Sequence, residues 1–262
     1  MPRLRAAARD LLPARLLHAY RVTRHVALWP AEPEMVAAQE FLSKEKVAID
    51  VGANFGLFTS VLARHSLKVF AFEPNPACAL YLDKVMPANC AVHAEAVSDQ
   101  CGFSALHVPV GNGVSMEALG TIAANNRFES ESRTTDVRTQ RVATTTLDAC
   151  LARLGPGEPI GFVNIDAEGH EFAVLRGAEG LLAGHKPVLL AELEFRHGTP
   201  VEAVFAWLRA RNYSPRAVKD GHSLISIDLA ELKAAQDETR LKNKLAGRRN
   251  SGYINNVFFV PD

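Results

Sequence analysis

Acidic residues close two apolar runs of this chain and sit inside two others. Glu73 follows Val69-Phe-Ala-Phe, Asp166 follows the run at 160–165, Glu192 falls within 187–193, and Asp50 within 47–51. Immediately after Asp50 comes a turn containing Gly52, Asn54 and Gly56. Carboxylates in such places accept hydrogen bonds from hydroxyls and amines or take up a proton, and an open parallel sheet gathers them in the crevice beyond its strand ends. Glycine admits the positive φ that a sharp reversal needs, so a ligand can lie against bare backbone. Asn54 tolerates the same geometry or caps the next helix.

The spacing narrows the ligand. A pyrophosphate fingerprint wants glycines at 52, 54 and 57, whereas the chain has Gly52, Asn54 and Leu57, with its second glycine at 56. A carboxylate at Asp50 would also repel phosphates. It suits a cationic or amine-bearing ligand, and S-adenosylmethionine, with its sulfonium and α-amino group, fits. Glu73 then stands where one carboxylate accepts both ribose hydroxyls of an adenosine, with Pro74 ending its strand. Ala96 and Ser98 fall where a third strand would border the adenine, although an ordinary strand exit explains them equally well.

These residues need a sheet to hold them. Apolar runs at 47–51, 69–72, 90–97, 160–165 and 187–193 predict five core strands. Helical spacing predicts helices over 55–65, 76–85, 169–182 and 200–211, the first turning Phe55, Phe58, Val61, Leu62 and His65 to the sheet. Thr146 reads as the cap of a helix opening at Leu147. A polar region then leads to an apolar run at 224–227, a charged helix over 229–245 and a final strand over 256–260. The sum predicts an α/β fold, an open, mostly parallel sheet with helices on both faces and an antiparallel edge strand.

One segment interrupts this alternation. Residues 103–110 predict an added strand and 142–144 a short edge strand, and between them the chain turns to Gly, Asn, Ser, Thr and Arg without periodicity. So long an excursion in a compact domain reads as an insertion, at about 103–141, that covers the pocket. His107, Asn112, Ser115, Asn125, Asn126, Arg127 and Arg133 offer polar groups there.

A length of 262 residues fits one α/β domain at 46–262 behind an arginine-rich helical extension at 1–45. The 29 basic and 29 acidic residues create no overall field for a nucleic-acid partner, which is disfavoured. Cys78, Cys90, Cys101 and Cys150 lack paired C-x-x-C spacing and read as reduced thiols of a cytoplasmic protein. No apolar run approaches the roughly 20 residues of a membrane span, and the first residues lack the apolar centre of a secretory signal. Arg3, Arg5, Arg9, Arg15, Arg21 and Arg24, against the single acid Asp10 and beside Leu11, Leu12, Leu16 and Leu17, suit weak contact with an anionic membrane surface. A helix docked on the domain or a mobile arm suits them too, since Pro13 interrupts the pattern.

The ordered motifs resemble the FkbM family of S-adenosylmethionine-dependent methyltransferases. The matching pieces are Ile49-Asp-Val-Gly-Ala-Asn-Phe-Gly-Leu-Phe58, Ala71-Phe-Glu-Pro-Asn-Pro76, Ala96-Val-Ser-Asp99, Thr146-Leu-Asp148 and Val163-Asn-Ile-Asp-Ala-Glu-Gly-His-Glu171, leading into Val174-Leu-Arg-Gly-Ala178. The resemblance spans about residues 46 to 195. The family usually has lysine where this chain has Asn164, and valine at Ala167. The resemblance implies a class I (Rossmann-like) methyltransferase fold and methyl transfer, most often to a hydroxyl oxygen of a sugar, glycan, polyketide or other small molecule. By position it implies Asp50, Gly52, Asn54 and Gly56 on the methionine side of the cofactor, Glu73 as ribose clamp, and Asp166 facing the reacting centre.

The choice of base is narrowed by where side chains point. Asp166 and Glu168, just past the fourth strand, can face the crevice, Asp166 to orient an amine or the acceptor and Glu168 to assist it or serve as base. His170 reads as a helix-start histidine in solvent, and Glu171 as a favourable charge in the helix's first turn. Glu192 and Glu194 alternate along the fifth strand, so one of them, Glu192 by preference, faces the pocket. Oxygen ligands from Asp166, Glu168 and Glu192 would suit magnesium, but such a pocket needs no metal and none is expected. Two other readings remain: a nicotinamide-dependent oxidoreductase, disfavoured by the displaced glycine, and a non-catalytic cofactor-binding interaction module.

Overall fold

The structure, a computed structural model, describes residues 13–24, 33–111, 114–123, 134–155, 157–219, 223–245 and 251–262. Arg3, Arg5, Arg9, Asp10, Leu11 and Leu12 of the basic segment, and Asn112, Asn125, Asn126, Arg127 and Arg133 of the excursion, lie outside the described residues.

In chain order the described elements are α1 (Ala14–Thr23), α2 (Glu34–Ala37), β1 (Val47–Val51), α3 (Leu57–His65), β2 (Lys68–Phe72), α4 (Pro76–Val85), β3 (Cys90–His93), β4 (Ala96–Val97), β5 (Gly102–Gly111), β6 (Val114–Ser115) and β7 (Asp136–Thr145). They continue with α5 (Leu147–Cys150), β8 (Ile160–Ile165), α6 (Glu171–Arg176), α7 (Glu179–His185), β9 (Val188–Glu192), α8 (Val201–Arg209), β10 (Tyr213–Lys219), β11 (Ser223–Ser226), α9 (Leu229–Ala235), α10 (Glu238–Leu245) and β12 (Asn256–Pro261).

The main sheet has eight strands in the order β11-β10-β12-β9-β8-β1-β2-β3. Its β3, β2, β1, β8 and β9 pair in parallel, β12 is antiparallel to β9 and β10, and β11 is antiparallel to β10. From β1 the chain winds to β2 on one side, while β8 lies on the other. The crevice of a doubly wound sheet therefore opens beyond the ends of β1 and β8, where Gly52 and Asp166 begin their loops.

Burial on both faces explains why these strands read as continuous apolar runs. On one face Ile49, Val51, Val163, Leu189 and Phe259 pack with α5 to α8; on the other, Ala48, Phe162, Leu190 and Phe258 pack with α2 and α3. α1 docks on the domain, with His18 placing Nε2 2.8 Å from Ser60 Oγ and Nδ1 3.2 Å from Tyr81 Oη. Among the described residues no helix is long and apolar enough to cross a membrane.

Several sequence expectations are corrected. α3 starts at Leu57 because Gly56, at φ +77°, cannot be helical, and so Phe55 and His65 are exposed rather than turned to the sheet. The run at 90–97 is two strands, since Ala96–Val97 leaves the main sheet to pair with β7. The helix expected over 169–182 breaks between α6 and α7, where Gly177 lies against the Ser98 carbonyl so closely that a Cβ would overlap it. The helix over 229–245 breaks at Gln236, whose Nε2 donates to the carbonyls of Leu193 (2.6 Å) and Ile254 (2.9 Å). The polar segment at 213–219 is β10, and the last strand is inserted between β9 and β10, leaving β11 as the antiparallel edge.

The described part of the excursion holds more strand than its composition suggests. β7 runs ten residues instead of three, and β4-β7-β5-β6 form a second sheet. Most of its first six side chains are exposed, so nothing in their hydrophobicity marks a strand; the pairing of 136–144 with 102–110 does.

Candidate functional site

The turn after β1 is a tight backbone knot. Gly52, Asn54 and Gly56 take φ of +79°, +52° and +77°, and the Gly52 and Ala53 amides donate to the Phe72 carbonyl at 2.9 and 3.0 Å. A Cβ on Gly52 would overlap the Asp166 carbonyl oxygen, so glycine is what lets the β1 and β8 loops touch.

Glu73, 6% exposed, closes β2 against this turn. Its Oε2 accepts from the Asn54 amide at 2.7 Å and its Oε1 from the Asn75 amide at 2.8 Å, where Asn75 caps α4. Burial pushes its pKa up to about 7, opposed by those two amides and assisted by Asp50 and Glu117. A carboxylate offers about four acceptor sites, so two remain for a ligand.

A cleft opens over these residues, lined by Val51, Gly52, Asn54, Phe72, Glu73, Pro74, Ala96 and Val97 below, by Asp166, Ala167, Glu168 and His170 on the side, and by Glu117, Gly120, Thr121 and Ile122 from the insertion. Residues 117–121 are tied to their surroundings on two sides. Thr121 Oγ1 donates to the Glu168 carbonyl at 2.9 Å, and Glu117 accepts from Asn75 Nδ2 at 2.5 Å and from Arg138 at 2.8 Å.

A family model described as the methyltransferase FkbM domain matches residues 50–215, more than half of the chain and every residue lining this cleft. The chain belongs to the FkbM methyltransferase family. Among solved structures it is similar to methyltransferase FkbM from Methylobacillus flagellatus KT, at 14% identity and a TM-score of 0.47 over 94% of this chain and 54% of that one, so it spans about half of that protein's length. It is also similar to precorrin 8W decarboxylase from Methanobacterium thermoautotrophicum (13% identity, TM-score 0.40, 87% and 86% of the two chains). A third similar structure is a putative methyltransferase from Streptococcus mutans in complex with SAH (12% identity, TM-score 0.39, 74% and 89% of the two chains). No curated protein matches.

The FkbM-matched segment brings together most of the residues that the sequence picks out. Gly52, Asn54, Glu73, Ala96, Asp166 and Glu168 line the cleft. Asp50 and Gly56 lie under the turn and are not among its lining residues. Asp50 is 1% exposed, with Thr59 Oγ1 donating to Oδ2 at 2.5 Å and Asn164 Nδ2 to Oδ1 at 2.9 Å; burial raises its pKa. Asn164, where the FkbM family usually has lysine, thus meets Asp50 with an amide in place of a cation. Gly56 faces Leu82 and Met86 instead.

Ser98 also stays off the cleft wall, but it holds a residue that is on it. His170 is half-buried and lines the cleft, with Nε2 2.9 Å from Ser98 Oγ, which corrects the solvent-facing reading. Burial lowers its pKa, favouring the neutral imidazole. Glu171 is likewise no surface helix charge. At 1% exposure it accepts from the Ala167 and Gly169 amides at 3.2 and 2.8 Å and from Thr199 Oγ1 at 2.8 Å, pinning the loop that carries Glu168.

Asp166 and Glu168 both have pKa values raised well above the usual carboxylate range, first by burial and next by the Glu192 carboxylate. Glu192 is half-buried beside them and accepts from Asn255 Nδ2 at 2.5 Å, without lining the cleft itself. Glu194, the alternate residue on that edge, is buried and accepts from Arg196 and Tyr253. Sequence reasoning missed Glu117, Thr121, Ile122 and His197. The first three lie in the aperiodic insertion, and His197 stands in a short turn with no motif around it.

Proposed function

We propose that the chain transfers the methyl group of S-adenosylmethionine to a hydroxyl oxygen of a small-molecule or glycan acceptor. The observation that carries this reading is Glu73, a buried carboxylate at a strand end with spare acceptor sites, facing one cleft with Asp166 and the glycine turn. The donor set fits the cofactor. Glu73 would accept the ribose hydroxyls, Phe72, Val97 and Ile122 would offer apolar surface to the adenine, and Asp166 would accept from the α-amino group. When bound, S-adenosylmethionine supplies an electrophilic methyl group for in-line displacement.

The chain's own contribution is to position and to handle a proton. Thr121, Ile122 and Glu117 cover the cleft and keep water from it, while the acceptor is held where its oxygen lines up with the methyl group, an arrangement that alone supplies much of the rate. The acceptor's proton would pass to the Asp166–Glu168 pair as the methyl carbon leaves the sulfur for the acceptor oxygen.

Titration with S-adenosylhomocysteine and with a reduced nicotinamide dinucleotide tests the reading: binding of the dinucleotide alone would overturn it. Incubation with labelled cofactor and candidate sugars then tests transfer, and no labelled product from any acceptor would favour a binding module. Glu73→Ala should weaken S-adenosylhomocysteine binding by about 1.5 to 3 kcal/mol, the value of hydrogen bonds to a charged group.

The pH dependence has a fixed sign. Ribose hydroxyls donate to the ionised acid, so affinity should rise as pH climbs through about 7, where Glu73 ionises. In the free protein the same raised pKa works the other way: its stabilising contribution is whole below about 4.5 and is lost as pH rises through about 7. Glu73→Gln should flatten the binding profile; an unchanged profile would show that Glu73 does not govern it.

A further inference from the structure

We propose that Glu168, Glu192 and His197 form a binding site for a divalent cation of the manganese class. These side chains come from three places, the loop after β8, the end of β9 and the turn beyond it, and one donor atom from each lies within 4.8 Å of the others. Ligands about 2.0 to 2.2 Å from one ion stand about 3 to 4.3 Å apart, so closure of a few tenths of an ångström completes the set.

His197 is what separates this group from an ordinary acidic cluster. It is 5% exposed, and among the described residues neither ring nitrogen has a hydrogen-bond partner at bonding distance: Nδ1 is 3.6 Å from Glu168 Oε2 and Nε2 3.8 Å from Glu194 Oε2. A buried imidazole aimed between carboxylates at these separations is spaced for a shared ion rather than for direct contact. The surrounding charge agrees. Among the described residues, Asp166, Glu168, Glu192 and Glu194 converge here, with Arg196 bound to Glu194.

Two carboxylates and one imidazole suit manganese better than magnesium, which prefers oxygen alone, or than a thiolate-seeking ion. The entry path is the cleft itself, which Glu168 lines. The site's use in catalysis rests on the methyl-transfer reading, because an ion there would draw the acceptor oxygen to the acids that receive its proton. Its existence does not rest on that reading.

The test uses the full-length protein and Mn2+ alone. Isothermal titration should show one ion per chain, and Glu192→Gln and His197→Gln should each weaken it about tenfold or more. Glu158→Gln, at the opposite end of β8, should leave it unchanged. A measurement on the unaltered chain guards against misfolded variants: Mn2+ should broaden the His197 imidazole resonances before those of the exposed His65. Absence of binding at millimolar Mn2+, equal affinity in both variants, or uniform broadening of the histidines would overturn the site. S-adenosylhomocysteine titrated without metal separates the two readings. If it binds while Mn2+ does not, the cation site fails alone; if Mn2+ binds while it does not, the cofactor reading fails alone.

Discussion

Replacing Glu168 with Gln is expected to slow methyl transfer by about 10²- to 10⁴-fold, the range for loss of a positioned acid–base group, while leaving cofactor affinity within about twofold. The substitution keeps size and shape and removes only the capacity to take a proton or carry charge. Its backbone should stay in place. Glu168 sits at φ +50° with its carbonyl accepting from Thr121 Oγ1, and the adjoining Gly169 amide is held by Glu171. Single-turnover transfer from labelled S-adenosylmethionine, beside titration with S-adenosylhomocysteine, measures the two effects separately. Equal turnover would remove Glu168 from the reaction; a parallel loss of affinity would make it a cofactor ligand instead.

Gly52→Ala should destabilise the protein by about 3 kcal/mol or more. Holding alanine at a left-handed backbone costs about 1 to 2 kcal/mol, and Gly52 sits at φ +79°. The rest comes from overlap with the Asp166 carbonyl, which is backbone and cannot swing aside as a side chain can. At about 2 to 4 °C per kcal/mol for a domain of this size, thermal unfolding should fall by about 6 to 12 °C. Gly56→Ala is the informative contrast, since its new methyl meets the movable ends of Leu82 and Met86. A Gly52→Ala protein melting with the unaltered chain would show that the loops after β1 and β8 do not touch as described. Any accommodation would also displace Asp166, so weaker cofactor binding should accompany the loss of stability.

The lysine-to-asparagine departure at Asn164 has a structural counterpart. Asp50 is buried with only neutral donors, Thr59 and Asn164, which is why burial raises its pKa unopposed by a cation. The same acid was read from the sequence as part of the ligand surface, because a carboxylate just before a glycine turn is placed to reach a cation. Strand geometry cannot say whether such a side chain turns up toward the crevice or down toward the following helix. Here Thr59 of α3 captures it.

His170, Glu171 and the split helices failed for a related reason. Each is governed by a partner far away in the chain: Ser98 for His170, Thr199 for Glu171, and the Ser98 carbonyl for the break at Gly177. Local periodicity carries no trace of those contacts. The ten-residue β7 was invisible because most of its early side chains meet solvent, leaving no alternation to read.

The sequence by itself determined the alternation of strands and helices, the turn at Gly52 to Gly56, the acids at the strand ends and the family to which the chain belongs. Those are local properties: doubly buried strands demand continuous apolar runs, and positive φ favours glycine and asparagine. Only the tertiary structure decided which acids face the cleft, that Glu117, Thr121 and Ile122 are among the residues lining it, that the last strand enters the sheet between β9 and β10, and that His197 meets Glu168 and Glu192. These depend on packing between segments distant in sequence, where the direction of a side chain is set by its neighbours in space.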